Sequence, residues 1–222
     1  MKEIYAVLPQ VMETRAARVV LELGAHQGED TRHLRRVFPD ARLYSFEPDP
    51  RNVEAMRRNG SIRETTLLEA AVSDHDGFGM FHLSRAVLAE APSWVQEAEY
   101  SGSSSLKRFG GENIHPWLKF DRTVTVPTVI LDTFVRQHVV ERVDLVWADV
   151  QGAEDLVTAG GLAALSITSF LYTECTEARE YAGQIGLEEM LERLPGNWEV
   201  VQRFPFDVLL RNLTLGPEGD GG

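Results

Sequence analysis

The 222-residue chain is long enough for one domain with a sizeable core, and its 43% hydrophobic and 25% charged residues are ordinary for a globular protein. A formal net charge of −12 argues against a polyanion such as nucleic acid as partner, and no apolar run approaches the roughly 18 residues of a membrane span. The single cysteine, Cys175, excludes an intrachain disulfide and reads as a buried structural thiol; with no signal-peptide pattern at the start, the expected compartment is cytoplasmic.

The first predicted element is a helix over residues 3–17, where Ile4, Val7, Leu8, Val11 and Met12 recur at helical spacing and Pro9 either kinks the helix or begins it. The apolar run Val19-Val20-Leu21-Glu22-Leu23 then reads as a parallel strand. It ends in the turn Gly24-Ala25-His26-Gln27-Gly28 and is followed by a helix-like stretch over 33–38. Residues 41–46 read as a second strand ending in Glu47, and Pro48 and Pro50 stop it and start a helix at about Asn52. Arg32, Arg35 and Arg36 on one helix and Arg57 and Arg58 on the next read as solvated faces. Strand and helix in alternation predict a parallel sheet covered on both faces.

Beyond Asp76-Gly77 the alternation breaks. Residues 78–83 read as a short strand, and about 84–121, with Trp94, Tyr100, Phe109 and Trp117 among Ser and Gly, as a cap-like insertion over the ligand edge of the sheet. Residues 123–129 are β-rich and 131–140 helical. The runs 143–148 and 170–174 are strands, and 198–211 is an antiparallel hairpin broken at Phe204-Pro205-Phe206. One domain over 1–215 with a disordered tail at 216–222 is expected.

A strand, a glycine turn and a helix N-terminus present backbone N–H groups and a positive dipole end to a ligand. Glu47 follows Gly28 at close to the roughly 20-residue offset at which an acidic residue meets a ribose hydroxyl. A nucleoside-containing cofactor is therefore expected. His26 occupies the place of the middle glycine in a dinucleotide fingerprint and crowds a pyrophosphate, and Glu22 repels phosphate while attracting an ammonium group. Adenosine joined to an amino acid through a sulfonium fits this turn better than NAD.

Five segments follow in order: Glu22 to Gly28, Phe46-Glu47-Pro48, Ala71-Val72-Ser73 with Gly77, Ser104-Ser105-Leu106, and Asp149-Val150-Gln151-Gly152-Ala153-Glu154, with Glu174 closing a late strand. From about Val19 to Glu174 this series resembles the FkbM-type S-adenosylmethionine-dependent methyltransferases. The resemblance implies a Rossmann-like, seven-stranded, mostly parallel sheet with a C-terminal antiparallel hairpin and helices on both faces. It departs from the family in His26, where Asn is frequent, and in Gln151, where Glu is frequent.

On this reading Glu22 and Gly24 line the methionyl pocket, together with His26 and with Thr31 in the first turn of the following helix. Gly28 lets that helix approach, Glu47 accepts both ribose hydroxyls, Ser73 and Asp74 meet the adenine, and Ser104 reaches the cofactor carboxylate. Asp149 and Glu174, at the ends of neighbouring strands, face the methyl acceptor as base and orienting acid, or through a divalent cation such as magnesium; the metal ligands stay unassigned. Asp149 as a helix cap is the competing structural role, and His115 is a second candidate base. The resemblance implies O-methylation of a small-molecule hydroxyl, on a sugar or a polyketide-like natural product. The alternatives are a nicotinamide-dependent oxidoreductase and a non-catalytic cofactor-binding scaffold. The acceptor's identity and the oligomeric state are not legible here.

Overall fold

A computed structural model describes residues 2–111, 114–176 and 178–216. The first half alternates as expected: α1 (Ile4–Val11), β1 (Val19–Leu23), α2 (Glu29–Val37), β2 (Arg42–Phe46), α3 (Pro50–Asn59) and β3 (Thr66–Leu68). A second group follows: β4 (Ala71–Ser73), β5 (Gly77–Ala86), β6 (Leu118–Ile130) and α4 (Leu131–Gln137). The chain then returns through β7 (Val143–Ala148), α5 (Glu154–Gly160), α6 (Leu162–Ser166), β8 (Thr168–Glu174), α7 (Leu187–Arg193), β9 (Trp198–Arg203) and β10 (Asp207–Asn212).

Seven strands form one sheet in the order β3-β2-β1-β7-β8-β10-β9. β1 pairs in parallel with β2 and β7, β7 in parallel with β8, and β10 runs antiparallel between β8 and β9. β1 is buried along its whole length, as a central parallel strand covered on both faces requires. Its side chains alternate: Val19, Leu21 and Leu23 join one core with Phe134 and Val146, while Val20 joins the other with Ile4, Leu34, Phe38 and Trp147. Glu22 shares the face of Val20 and is thereby directed beneath α2.

The helix bounds differ from those that periodicity suggested. α1 runs through Pro9 and stops at Val11; α2 begins at Glu29 rather than His33; α3 begins at Pro50, because Asp49 caps it by accepting from Arg51 N at 2.9 Å and Pro50 supplies the preset φ of a first helical residue. Arg35 is not on a solvated face: its guanidinium donates to the backbone oxygens of Ala41 at 2.8 Å and Glu64 at 2.8 and 3.0 Å, clamping the loops around β2. The hairpin β9–β10 turns at Phe204-Pro205-Phe206, as the sequence indicates. The expected tail beyond Gly216 lies outside the described residues.

β4, β6 and β5 form a separate three-stranded sheet, parallel between β4 and β6 and antiparallel between β6 and β5. The pieces were visible in the sequence, but their segregation into a second sheet was not, because pairing of β5 with β6 spans the whole insertion. The stretch 87–117 between them forms no helix or strand among its described residues and is tied back by the His82–Ser105 bridge.

Candidate active site

The C-terminal ends of β1, β2 and β7 meet at a cavity of about 340 Å³. Gly24 lies in its wall with φ +89, its N–H donating to Phe46 O at 2.9 Å. A Cβ there would lie 1.9 Å from Asp149 O, so only glycine lets the β1 turn pass under the β7 end. His26 follows with φ +50, and its side chain stands in the cavity wall.

A closed ring of hydrogen bonds shapes one wall. His26 N donates to Glu47 Oε2 at 2.7 Å, Asn52 Nδ2 donates to Glu47 Oε1 at 3.2 Å, Ser101 Oγ donates to Asn52 Oδ1 at 2.6 Å, and His26 Nε2 meets Ser101 Oγ at 3.0 Å. Asp49 N adds a third donor to Glu47 Oε1 at 2.8 Å. Glu47 is only 3% exposed, and burial pushes its carboxyl up to about 7 despite these donors. Three of its roughly four acceptor positions are taken, which leaves Oε2 able to take one further donor. Burial works against charge on His26, but the carboxylates of Glu29 and Glu47 outweigh it and hold the ring above the ordinary histidine value.

Apolar side chains of Phe46, Pro48, Ala71, Val72, Phe81 and Leu106 line another part of the cavity. Ser73 and Asp74, expected there, do not line it. Ser73 is buried at the end of β4, and Asp74 is half-exposed and paired with His75 Nδ1 at 2.8 Å. The second sheet turns the strand end outward and offers Ala70 to Val72 instead.

Glu22 lies outside the cavity wall as well. It is fully buried and accepts from Thr31 Oγ1 at 2.8 Å and from Ser45 Oγ, so it pins α2 and β2 to β1. Its Oε1 has no partner among the described residues, and burial pushes the group up to about 7. Gly28 caps α2 packed against Ser61 rather than facing the cavity. Ser104 lines the cavity with its hydroxyl engaged: Ser84 N donates to it at 3.0 Å and Arg51 Nη2 at 3.1 Å. These bonds seat the insertion on α3.

At the far end stand Asp149 and Gln151. The Asp149 side chain is 33% exposed, with Lys2 Nζ at 3.8 Å from Oδ2. Gln151 Nε2 donates to Asp149 Oδ1 at 2.7 Å and to Glu174 Oε2 at 3.2 Å. The two strand-end acids are thus brought together as expected, with Glu174 behind the cavity wall. Burial pushes Glu174 up to about 8, and the charges of Asp149, Glu154 and Asp207 add to this. Asp149 does not cap α5, whose N-cap is Ala153 with no side-chain hydrogen bond. His115 is not in the wall; it pairs with Glu180 at 3.0 Å. Among the described residues no group of three or more His, Cys, Asp or Glu is placed to hold a metal ion. The Asp149–Glu174 pair does not fit a divalent cation, since an amide donor occupies the place between the carboxylates.

Tyr100, one of the aromatics of the insertion, lines the cavity as the cap reading allowed, whereas Lys2, Ser101 and Asn52 line it too and escaped the sequence reading. Each arrives from a different element, and no local pattern marks it. Glu29, Asp30, Glu47 and Asp149 line the cavity and Lys2 Nζ is bonded to Asp30 Oδ2 at 2.8 Å; this excess of acids suits a cationic sulfonium and opposes a pyrophosphate.

A family profile described as the methyltransferase FkbM domain matches residues 22–203. The chain is 38% identical over 202 residues to the 2-O-methyltransferase NoeI of Sinorhizobium fredii, covering 89% of this chain and 80% of that protein. It is also similar to the crystal structure of a methyltransferase FkbM from Methylobacillus flagellatus, with a TM-score of 0.54 at 13% identity, over 93% of this chain. The chain spans about half of that solved protein, 47%. No described helix is long and apolar enough to cross a membrane.

Proposed function

Because this chain belongs to the FkbM family of S-adenosylmethionine-dependent methyltransferases, we propose that it methylates a hydroxyl oxygen of a small molecule presented at the Asp149 end of the cavity. The observation that carries this reading is that one cavity holds both the Glu47 ring and the Asp149–Gln151 end. A nucleoside at the first places its amino-acid half toward the second.

When bound, S-adenosylmethionine would supply an electrophilic methyl carbon, able to accept an oxygen lone pair, with a neutral sulfide as its leaving group. Glu47 Oε2 takes a ribose hydroxyl, and the apolar wall around Val72 and Phe81 takes the adenine. Lys2, held beside Asp30 and Asp149 at the other end of the cavity, would face the carboxylate of the methionyl part. Asp149 accepts the proton of the acceptor hydroxyl at Oδ2, the oxygen that Gln151 leaves open, as the new C–O bond forms. Glu174, which keeps its own proton to about pH 8, stays neutral at neutral pH and spares Asp149 a second charge. The insertion, tied down through Ser104 and Ser101, closes the cavity from above and limits water.

The hydroxyl preference draws on the 2-O-methyltransferase relative, and a sugar or a polyketide-like natural product supplies such a group. Incubation with S-adenosylmethionine carrying a ¹³C-methyl and a panel of sugars and natural-product alcohols tests this. The expected product shows the carbon shift of a methyl on oxygen. Label recovered only on nitrogen or carbon contradicts the proposal.

A further inference from the structure

We propose that Gln151 is a positioning residue, whose side-chain amide holds Asp149 at the acceptor end of the cavity by donating one N–H to it and the other to Glu174. This rests on the reading of Asp149 as the base. A neutral amide has two N–H bonds, and both go to carboxyl oxygens, of Asp149 at 2.7 Å and of Glu174 at 3.2 Å. Its orientation is fixed. Reversed, the amide would set its carbonyl oxygen against a carboxylate oxygen at the shorter of these distances. As it stands, that carbonyl faces the hydroxyl of Tyr181 at 3.2 Å, which also reaches Ser103 O at 2.8 Å.

The backbone is built for this placement. Gln151 has φ +52, a conformation that a non-glycine residue keeps only where its surroundings impose it. Gly152 follows at φ +82, and a Cβ there would lie 2.5 Å from the Tyr181 side chain. The ring that anchors the amide therefore packs directly on the next residue's backbone.

The setting gives the amide its importance. Glu174 faces Asp149 from β8, Glu154 from α5 and Asp207 from the start of β10, while Glu180, from the loop after β8, faces Glu174. Lys2 is the cation near Asp149, and His26 adds a second across the cavity. Burial holds the phenols of Tyr100, Tyr172 and Tyr181 above their ordinary value, and the charges of nearby acids add to this. Among so many acids, the single N–H that Gln151 aims at Asp149 Oδ1 fixes where that oxygen sits and leaves Oδ2 turned to the cavity. A glutamate at 151 would replace both donors with another acid.

The test titrates the side-chain carboxyl carbons of ¹³C-labelled protein by NMR, with Asp149→Asn and Glu174→Gln assigning the two signals. Gln151→Met keeps the length and removes both donors; Asp149 should then titrate higher by about one to two pH units, the equivalent of a lost hydrogen bond to a charged group. Gln151→Glu should move Asp149 the same way and add one titrating carboxyl. If Gln151→Met does not fold, Gln151→Glu decides. A folded variant in which Asp149 titrates as in the parent overturns the proposal. No acceptor is needed, so this outcome is separate from the turnover of Asp149→Asn, which tests the base itself.

Discussion

Asp149→Asn should lower methyl-transfer turnover by about 10²–10⁴-fold, the range for a positioned general base, while S-adenosylhomocysteine binds with nearly parental affinity. The substitution preserves size and leaves a carbonyl oxygen that can still accept from Gln151 Nε2, so the wall keeps its shape. What is lost is the carboxylate oxygen that would take the hydroxyl proton. The ribose contact proposed at Glu47 is shaped by donors from His26 and Asp49, neither of them bonded to Asp149, and should be untouched. A helix-cap role would give another outcome, lower stability with normal turnover, and the Ala153 N-cap of α5 already speaks against it. Single-turnover kinetics beside calorimetric affinity separates the two, and full turnover in a folded Asp149→Asn removes the base.

Gly24→Ala should destabilise the fold by about 4 kcal/mol or more, among the larger single-residue effects, through clash and backbone strain together. The residue sits at φ +89, and the added Cβ would meet Asp149 O at 1.9 Å. Neither side can yield cheaply. Gly24 N is bonded to Phe46 O at 2.9 Å and Asp149 N to Leu23 O at 2.9 Å, so moving the turn breaks the ends of two strand pairings. Urea unfolding of parent and variant measures the difference; a loss below about 1 kcal/mol would mean that the turn rebuilds around the methyl group.

The parts of this molecule that were legible in its sequence are those whose signal is local. Gly24 and Glu47 each stand at the end of an apolar run, and strand-end geometry carries both to the cavity. Asp149 and Glu174 could be paired because the fold class that the resemblance implies makes their strands neighbours, and β7 and β8 are adjacent in the sheet. Glu22 was misplaced for a reason of parity: one residue along a strand exchanges faces, and position 22 falls beneath α2 with Thr31 and Ser45. Asp74 was misplaced because β4 leaves the main sheet for a second one, which no periodicity announces. His115 stands in the insertion as expected, but its ring turns to Glu180, a partner 65 positions away. Asn52, Ser101 and Lys2 were invisible for the same cause: each matters through contacts made only once the chain has closed.

The ribose contact is the centre of the account, and calorimetric titration of S-adenosylhomocysteine into the parent and into Glu47→Ala tests it most directly. Glu47 is buried and holds three donors, so the variant will also be less stable, contrary to the small change an exposed strand-end acid would give; the titration is therefore made where both proteins are folded. The account predicts micromolar binding to the parent, no response to NAD, and a loss of about 1.5–3 kcal/mol in the variant, the range for a hydrogen bond to a charged group. An unchanged dissociation constant in folded Glu47→Ala, or tight NAD binding with no response to S-adenosylhomocysteine, would contradict it.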